Sequence, residues 1–209
     1  MDITINGEEG LLQAGYHKNE EKNKKIAVIL SDHPKRGSHM NDKAIYTLYH
    51  TYTLQGFNVI RFNYRGVGLS KGEFSGNEGE ITDAANILDW MEKTNDKYEE
   101  VHVVGIGFGS WLALHLLMRR PEITNFALIS PIVEGYEFNF VNPCAANGII
   151  VKTECQKESQ KEKIKKLYKD LEKMNSGETK LIRMNTCCCK FESKLKPLFD
   201  NMQEFITKK

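Results

Sequence analysis

Short apolar runs alternate along the chain with longer stretches in which apolar residues recur every three or four positions. That alternation predicts buried parallel strands joined by crossover helices, an α/β fold with a mostly parallel sheet and helices on both faces. Residues 26–30 (IAVIL) form the first buried-strand run, entered through a polar turn and closed by Ser31-Asp32-His33-Pro34. Asn41 is placed to cap a helix with Ala44, Ile45, Leu48 and Tyr52 on its apolar face and Gly56 at its end. Residues 57–62 predict the next strand, and a glycine-rich loop then leads into a helix marked by Ile81, Ala84, Ala85, Leu88 and Met91. Residues 101–104, 126–129, 149–152 and 180–184 predict four further strands. Helices are expected over 110–119, 158–174 and 195–206, and residues 3–16 are expected to pair as a hairpin against the sheet edge. No repeat and no linker divides the sequence, so one domain over residues 1–209 is expected.

A length of 209 residues at 40% apolar content supports a full hydrophobic core without disulfides or metals. The longest apolar stretch, residues 111–118, falls far short of the roughly 20 residues a bilayer helix needs, so no membrane insertion is expected. With 29 basic and 28 acidic side chains there is no net field toward nucleic acid, and no nucleic-acid specificity is expected. The lysine-rich segment 158–174 keeps Ile164, Leu167, Tyr168, Leu171 and Met174 on one face, which makes it an amphipathic helix with a solvated back. Five cysteines, three of them adjacent (Cys187, Cys188, Cys189), make no disulfide framework and suit a reducing intracellular compartment, cytoplasm or mitochondrial matrix. Residues 1–10 carry Asp2, Glu8 and Glu9 and no apolar signal core, so secretion is not expected.

The candidate chemistry sits where the third parallel strand turns through Gly105-Ile106-Gly107-Phe108-Gly109 into a helix. Strand, tight glycine-flanked turn and helix make up the nucleophile elbow, in which G-x-S-x-G lifts a serine above the sheet. Here the central residue is Gly107. The outer glycines allow the strand and helix backbones to approach, and the central one tolerates the strained turn.

Around this turn the sequence resembles the small α/β-hydrolase-superfamily proteins of bacterial type that lack a cap domain. The resemblance is carried by His33-Pro34 with Gly37 and Met40-Asn41-Asp42-Lys43, and by residues 56–72 (GFNVIRFNYRGVGLSKG). Asp83-Ala84-Ala85, Leu88-Asp89-Trp90 and residues 117–123 (LMRRPEI) extend it from about Val28 to Val151. It implies an α/β-hydrolase fold and ester or amide hydrolysis by Ser, Asp and His in that order, with an oxyanion hole built partly by the loop at His33, Pro34 and Gly37.

Carried over position by position, that chemistry has no side chains to act through. Gly107 stands at the serine position, Gln156 at the acid position with Glu154 two residues earlier, and the Cys187-Cys188-Cys189 loop at the histidine position. The histidines are His17, His33, His39, His50, His102 and His115, so none follows His115 in these residues. A degenerate triad and no catalytic residues are therefore expected.

Other residues admit two readings. Ser110 could be a displaced nucleophile, and Cys188 or Cys189 beside Lys190 a reactive thiol, although small residues filling the imidazole's space account for the cysteines more simply. His33 and His39, near Asp32 and Asp42, could suggest a metal, but shaping of the oxyanion-side loop accounts for His33, and neither metal nor cofactor is expected. Arg61 and Arg65 are expected in surface ion pairs with Glu73, Glu78, Glu80 or Asp83, with anion binding as the alternative. His102 and His115 are expected as satisfied core or rim histidines. Phe108, Trp111, Tyr136 and Phe138 are candidates to line the vacated pocket.

The functional expectation is a pseudoenzyme acting as a scaffold or interaction subunit of a larger intracellular protein assembly, with the mitochondrion as one candidate compartment. Two alternatives stand beside it. One is an active serine- or thiol-dependent ester hydrolase, and the other is a small-molecule sensor using the vacated pocket.

Overall fold

Two apolar layers, one on each side of a single eight-stranded sheet, take up the buried runs expected from the sequence. The structure is a computed structural model and describes residues 1–19, 24–76, 78–95, 98–132, 134–154, 156–185 and 195–207. Strands β1 (Asp2–Gly7) and β2 (Gly10–His17) form the expected antiparallel hairpin. Strands β3 (Lys25–Leu30), β4 (Asn58–Phe62), β5 (Glu100–Ile106), β6 (Asn125–Ile129), β7 (Asn147–Thr153) and β8 (Thr179–Met184) run parallel to one another. The sheet order is β1-β2-β4-β3-β5-β6-β7-β8, with β2 antiparallel to β4.

Helices α1 (Lys43–Leu54) and α5 (Leu195–Thr207) cover one face of the sheet. The other face carries α2 (Glu78–Thr94), α3 (Phe108–Arg119) and α4 (Glu158–Met174). This is an α/β-hydrolase fold, and no cap domain stands over it among the described residues.

Three details differ from expectation, each for a local reason. Asp42, not Asn41, holds the N-cap position of α1. Asn41 Oδ1 accepts from Arg61, while the Asp42 carboxylate accepts from Ser38 Oγ and the His39 amide. Helix α3 begins at Phe108, two residues earlier than expected, because the turn after β5 consumes only Gly107. Met174, expected on the buried face of α4, is 42% exposed at the helix end, whereas Ile164, Leu167 and Leu171 are buried as expected.

The connection from Ser130 to β7 packs its aromatics onto α3. Tyr136 meets Phe108 and Trp111, and Phe140 stacks on His115 with ring centroids 3.8 Å apart. The long loop is a packing loop over the outer side of that helix.

Candidate functional site

Parallel pairing sets β3 and β5 side by side with Leu30 opposite Gly105. Both chains leave the sheet at the same end, so continuing the register by two residues places Asp32 beside Gly107. The glycines fix how close the backbones come. A Cβ on Gly105 would lie 2.1 Å from Gly109 O, and one on Gly109 would lie 2.3 Å from Leu30 O, so neither position has room for a side chain.

Gly107 itself adopts φ 57° and ψ −113°, a left-handed turn that an L side chain would enter only under strain. Its amide donates to Ile129 O at 2.9 Å, and its carbonyl accepts from the Ser110 amide at 3.1 Å. The backbone of an elbow is therefore built around a residue without a side chain.

The space above Gly107 is filled from the neighbouring strand. A Cβ on Gly107 would fall 2.0 Å from Asp32 Oδ1, so this oxygen stands where an elbow side chain would begin. The same oxygen accepts from the Phe108 amide at 2.9 Å. That amide, the first after the elbow, is the one that would donate to an oxyanion. Asp32 is 6% exposed, and its second carboxylate oxygen lies 3.8 Å from Arg36 Nη1.

The loop carrying Asp32 is held by the residues the resemblance pointed to. His33 Nδ1 accepts from the Lys35 amide, Pro34 opens a 3-10 turn (Pro34–Arg36), and Gly37 closes it in a left-handed conformation with its amide on Pro34 O. The His33 ring packs against Phe74, Phe108 and Tyr136 at centroid separations of 4.8, 5.2 and 6.2 Å. Burial in this aromatic setting pushes its pKa down, against the opposing pull of Asp32.

Phe108 lies at the centre of that setting. It is fully buried among Tyr64, Phe74, Trp111 and Tyr136, with centroids between 5.0 and 5.7 Å away. Trp111 Nε1 donates to Glu137 O at 3.0 Å. Of the four candidate pocket residues, Phe108, Trp111 and Tyr136 thus come together as packed rings. Tyr136 and Phe138 also line a hollow of about 180 Å³ against Leu167 of α4.

Gln156 lies beyond the end of β7, where its Oε1 accepts from the Thr153 amide and its Nε2 donates to Pro131 O. It tethers two loops through a carboxamide that carries no charge. Glu154 pairs with Arg183 at the surface. Ser110 is buried and donates to Gly105 O and Ile129 O, which ties its hydroxyl to the turn behind the elbow. Cys187, Cys188 and Cys189 lie outside the described residues.

Two expectations for charged and histidine side chains are corrected. Arg65 is not in a surface pair: it is 2% exposed and surrounded by Asp83 (2.7 Å), Glu8 (3.0 Å), Glu9 (3.0 Å) and Glu80 (3.9 Å). Glu8 and Glu9 come from the hairpin turn, a partnership across the fold that sequence proximity did not suggest. Arg61 pairs with none of the expected acids. Its guanidinium lies over the Tyr46 and Tyr49 rings and donates to Met40 O.

His102 is satisfied as expected, by Tyr52 Oη at 3.1 Å and Glu100 Oε1 at 2.9 Å. His115 is not. Its Nε2 is buried between Trp111 and Phe140 without a partner among the described residues, and burial lowers its pKa to about 4. His39 bonds within its own turn, to the Asn41 amide and toward Asp42. Among the described residues, no three His, Cys, Asp or Glu side chains gather to hold a metal, and no helix is long and apolar enough to cross a membrane.

The residue that expectation missed as a site residue is Asp32, which the sequence suggested only as a neighbour of His33. The signal was nonetheless present. An acid two residues past the end of one parallel strand, beside a glycine in the elbow of the next, can reach the amide that follows the elbow.

Comparison with known proteins agrees with this fold. The sequence model of the X-Pro dipeptidyl-peptidase (S15) family matches residues 13–187. An uncharacterized protein of Rickettsia prowazekii is 40% identical over 152 residues, covering 71% of this chain and 64% of its own length. The lysophosphatidylserine lipase ABHD12 of Xenopus tropicalis is 29% identical over 144 residues, 58% of this chain and 36% of the lipase. The matched part of the chain thus spans less than two thirds of either relative. The crystal structure of a protein of unknown function from Agrobacterium tumefaciens is 32% identical, superposes with a TM-score of 0.90, and is matched over 99% of this chain and 94% of its own.

Proposed function

The chain belongs to the X-Pro dipeptidyl-peptidase (S15) family of α/β-hydrolases, and from that premise we propose that it no longer performs acyl transfer and serves as a hydrolase-like interaction subunit of an intracellular protein assembly. The carrying observation is the Asp32 carboxylate at the elbow, 2.9 Å from the Phe108 amide. Acyl transfer needs a nucleophile at Gly107 and an amide free to receive a developing negative charge. Here the nucleophile has no side chain, and a carboxylate of the same sign as the oxyanion already occupies its donor. Loss of a triad nucleophile alone lowers turnover on the order of 10⁶-fold.

Binding remains open to such a protein, because the fold still presents full surfaces of helix and loop while the reacting centre is filled. A free thiol at Cys144 and an odd total of five cysteines suit a reducing compartment. A second reading is favoured by the lipase named among the relatives and by the retained elbow backbone: ester hydrolysis through another nucleophile, with Cys188 the candidate thiol.

One pair of measurements separates the two. The purified protein should hydrolyse p-nitrophenyl acetate and a glycyl-prolyl p-nitroanilide no faster than buffer, and in native extract it should fractionate well above its 24.0 kDa mass with a reproducible partner. Turnover abolished by Cys188→Ser or by Asp32→Asn would establish the hydrolase reading. Migration only as a monomer would remove the assembly.

A further inference from the structure

The pole of the sheet opposite the elbow holds a second concavity. The parallel strands β6, β7 and β8 begin there at Asn125, Asn147 and Thr179, and α5 crosses above them. Between strands and helix lies a hollow of about 510 Å³, within the range of roughly 300–1,000 Å³ typical of small-molecule sites. Five to seven strand residues at about 3.3 Å each separate it from the elbow end, so the two are distinct places.

The lining has a definite chemistry. Its floor is apolar, made by Ile149 and Ile182, with the Phe205 ring at the helix side. Around that floor stand the carboxamides of Asn125, Asn147 and Asn201, each a donor and an acceptor in one group. Two of these are oriented by the fold. Asn147 Oδ1 accepts from the Glu178 amide at 2.9 Å, which points its NH₂ group as the remaining donor. Asn201 Nδ2 donates to Pro197 O at 2.7 Å, which leaves its oxygen as the remaining acceptor.

Charge does not select the occupant. Among the described lining residues, the cation Lys180 lies 3.1 Å from Glu178, and the second carboxylate, Glu204, has a partner of its own. A hollow whose charged side chains are each already engaged, with mixed donors and acceptors around its wall and an apolar floor with an aromatic ring, matches a ligand whose rim is hydroxylated and whose face is C–H. We propose that this hollow is a binding site for a neutral saccharide. The inference is independent of whether the elbow has activity.

The test uses the whole chain with glucose, maltose and N-acetylglucosamine as probes, read by saturation-transfer NMR and calorimetry, with spermidine and citrate as charged controls. At least one sugar should bind in the millimolar range or tighter and transfer saturation through its C–H face. Ile182→Trp, which fills the hollow, and Asn201→Leu, which removes an acceptor, should each weaken binding at least tenfold in a protein that still unfolds cooperatively. Should either variant fail to fold, Lys180→Trp, which crowds the hollow from its exposed rim, replaces it, with at least threefold weaker binding expected. No sugar signal, sugar binding indifferent to these variants, or preferential binding of either charged control would overturn the proposal.

Discussion

Asp32 caps a helix to which it does not belong: its Oδ1 lies 2.9 Å from the Phe108 amide, the first of α3. Gly107, the residue at the N-cap position, has no side chain to accept from that turn. A carboxylate near a helix N-terminus is favoured both by the unsatisfied amides and by the aligned peptide dipoles. The same contact therefore stabilises an elbow whose central residue has no side chain, which ties a structural role to the functional proposal.

Asp32 and Gly107 should consequently be coupled. Asp32→Ala is expected to cost about 1 kcal/mol, the usual value of a lost N-cap. Gly107→Ser is expected to cost more, roughly 1–3 kcal/mol, from the left-handed backbone alone, and the collision with Asp32 Oδ1 adds to that. In the double variant the collision is gone, so its loss of stability should fall below the sum of the single losses. Urea denaturation of the four proteins measures the coupling. Simple additivity would mean that the carboxylate does not occupy the elbow space.

The close approach of strand and helix gives a sharper expectation. A methyl group on Gly109 would meet the backbone oxygens of Leu30 and Ser31, at 2.3 and 2.6 Å, and backbone on both sides has no rotamer with which to yield. Gly109→Ala should therefore fail to accumulate as soluble protein or lose several kcal/mol, about as much as a large core truncation. A control at Gly37, whose added Cβ meets nothing within 4 Å, should lose only the cost of its left-handed φ, about 1 kcal/mol. Expression level and thermal midpoint compare the pair.

Much of this architecture was legible in the sequence, because burial on both faces leaves continuous apolar runs such as residues 26–30 and one-sided burial leaves the period of α4. The glycine elbow could be read for the same reason: backbone approach leaves no alternative residue type. What could not be read depended on contacts between distant segments. Arg65 meets Glu8 and Glu9 only because the hairpin folds across the sheet edge, and Asn41 gives up its capping role only because Arg61 reaches it from β4. Asp32 belongs to the same class. Its role follows from the register of two strands separated by more than sixty residues of chain, and only a sheet order could reveal it.

Acid should weaken the fold through its buried imidazoles. His115 has a folded pKa of about 4 against an ordinary 6.5, so between those values the unfolded chain binds the proton and the folded chain does not. Stability is then full above about pH 6.5 and declines as pH falls toward 4. His33 and His102, also held below their ordinary value by burial, contribute in the same direction. With the His115 side chain only partly buried, its share is no more than about 2 kcal/mol after solvent screening. His115→Phe keeps the stack on Phe140 and removes the titration, so its stability should vary less between pH 6.5 and 4 than that of the parent. Parallel curves for the two proteins would show that the imidazole is not the source.

Arg65 is the charge on which the acidic corner of the fold depends. One guanidinium, buried to 2% exposure, faces Glu80 and Asp83, which are themselves at 0% and 1%. Its partners hold its own pKa above the ordinary guanidinium value, with the Asp83 hydrogen bond the largest cause. Removing it takes the guanidinium away from the buried Asp83 carboxylate and from the hairpin turn, and breaking a buried pair in this way costs roughly 3–5 kcal/mol. Arg65→Met should lower the urea midpoint accordingly. Arg65→Lys should recover only part of the loss, because a single ammonium cannot reproduce the separate Nε and Nη contacts to Asp83, Glu8 and Glu9. Placing Asn at 83 in the Arg65→Met background removes one of the stranded charges and should restore stability relative to Arg65→Met alone. No recovery would mean that the cost lies in lost packing rather than in uncompensated charge.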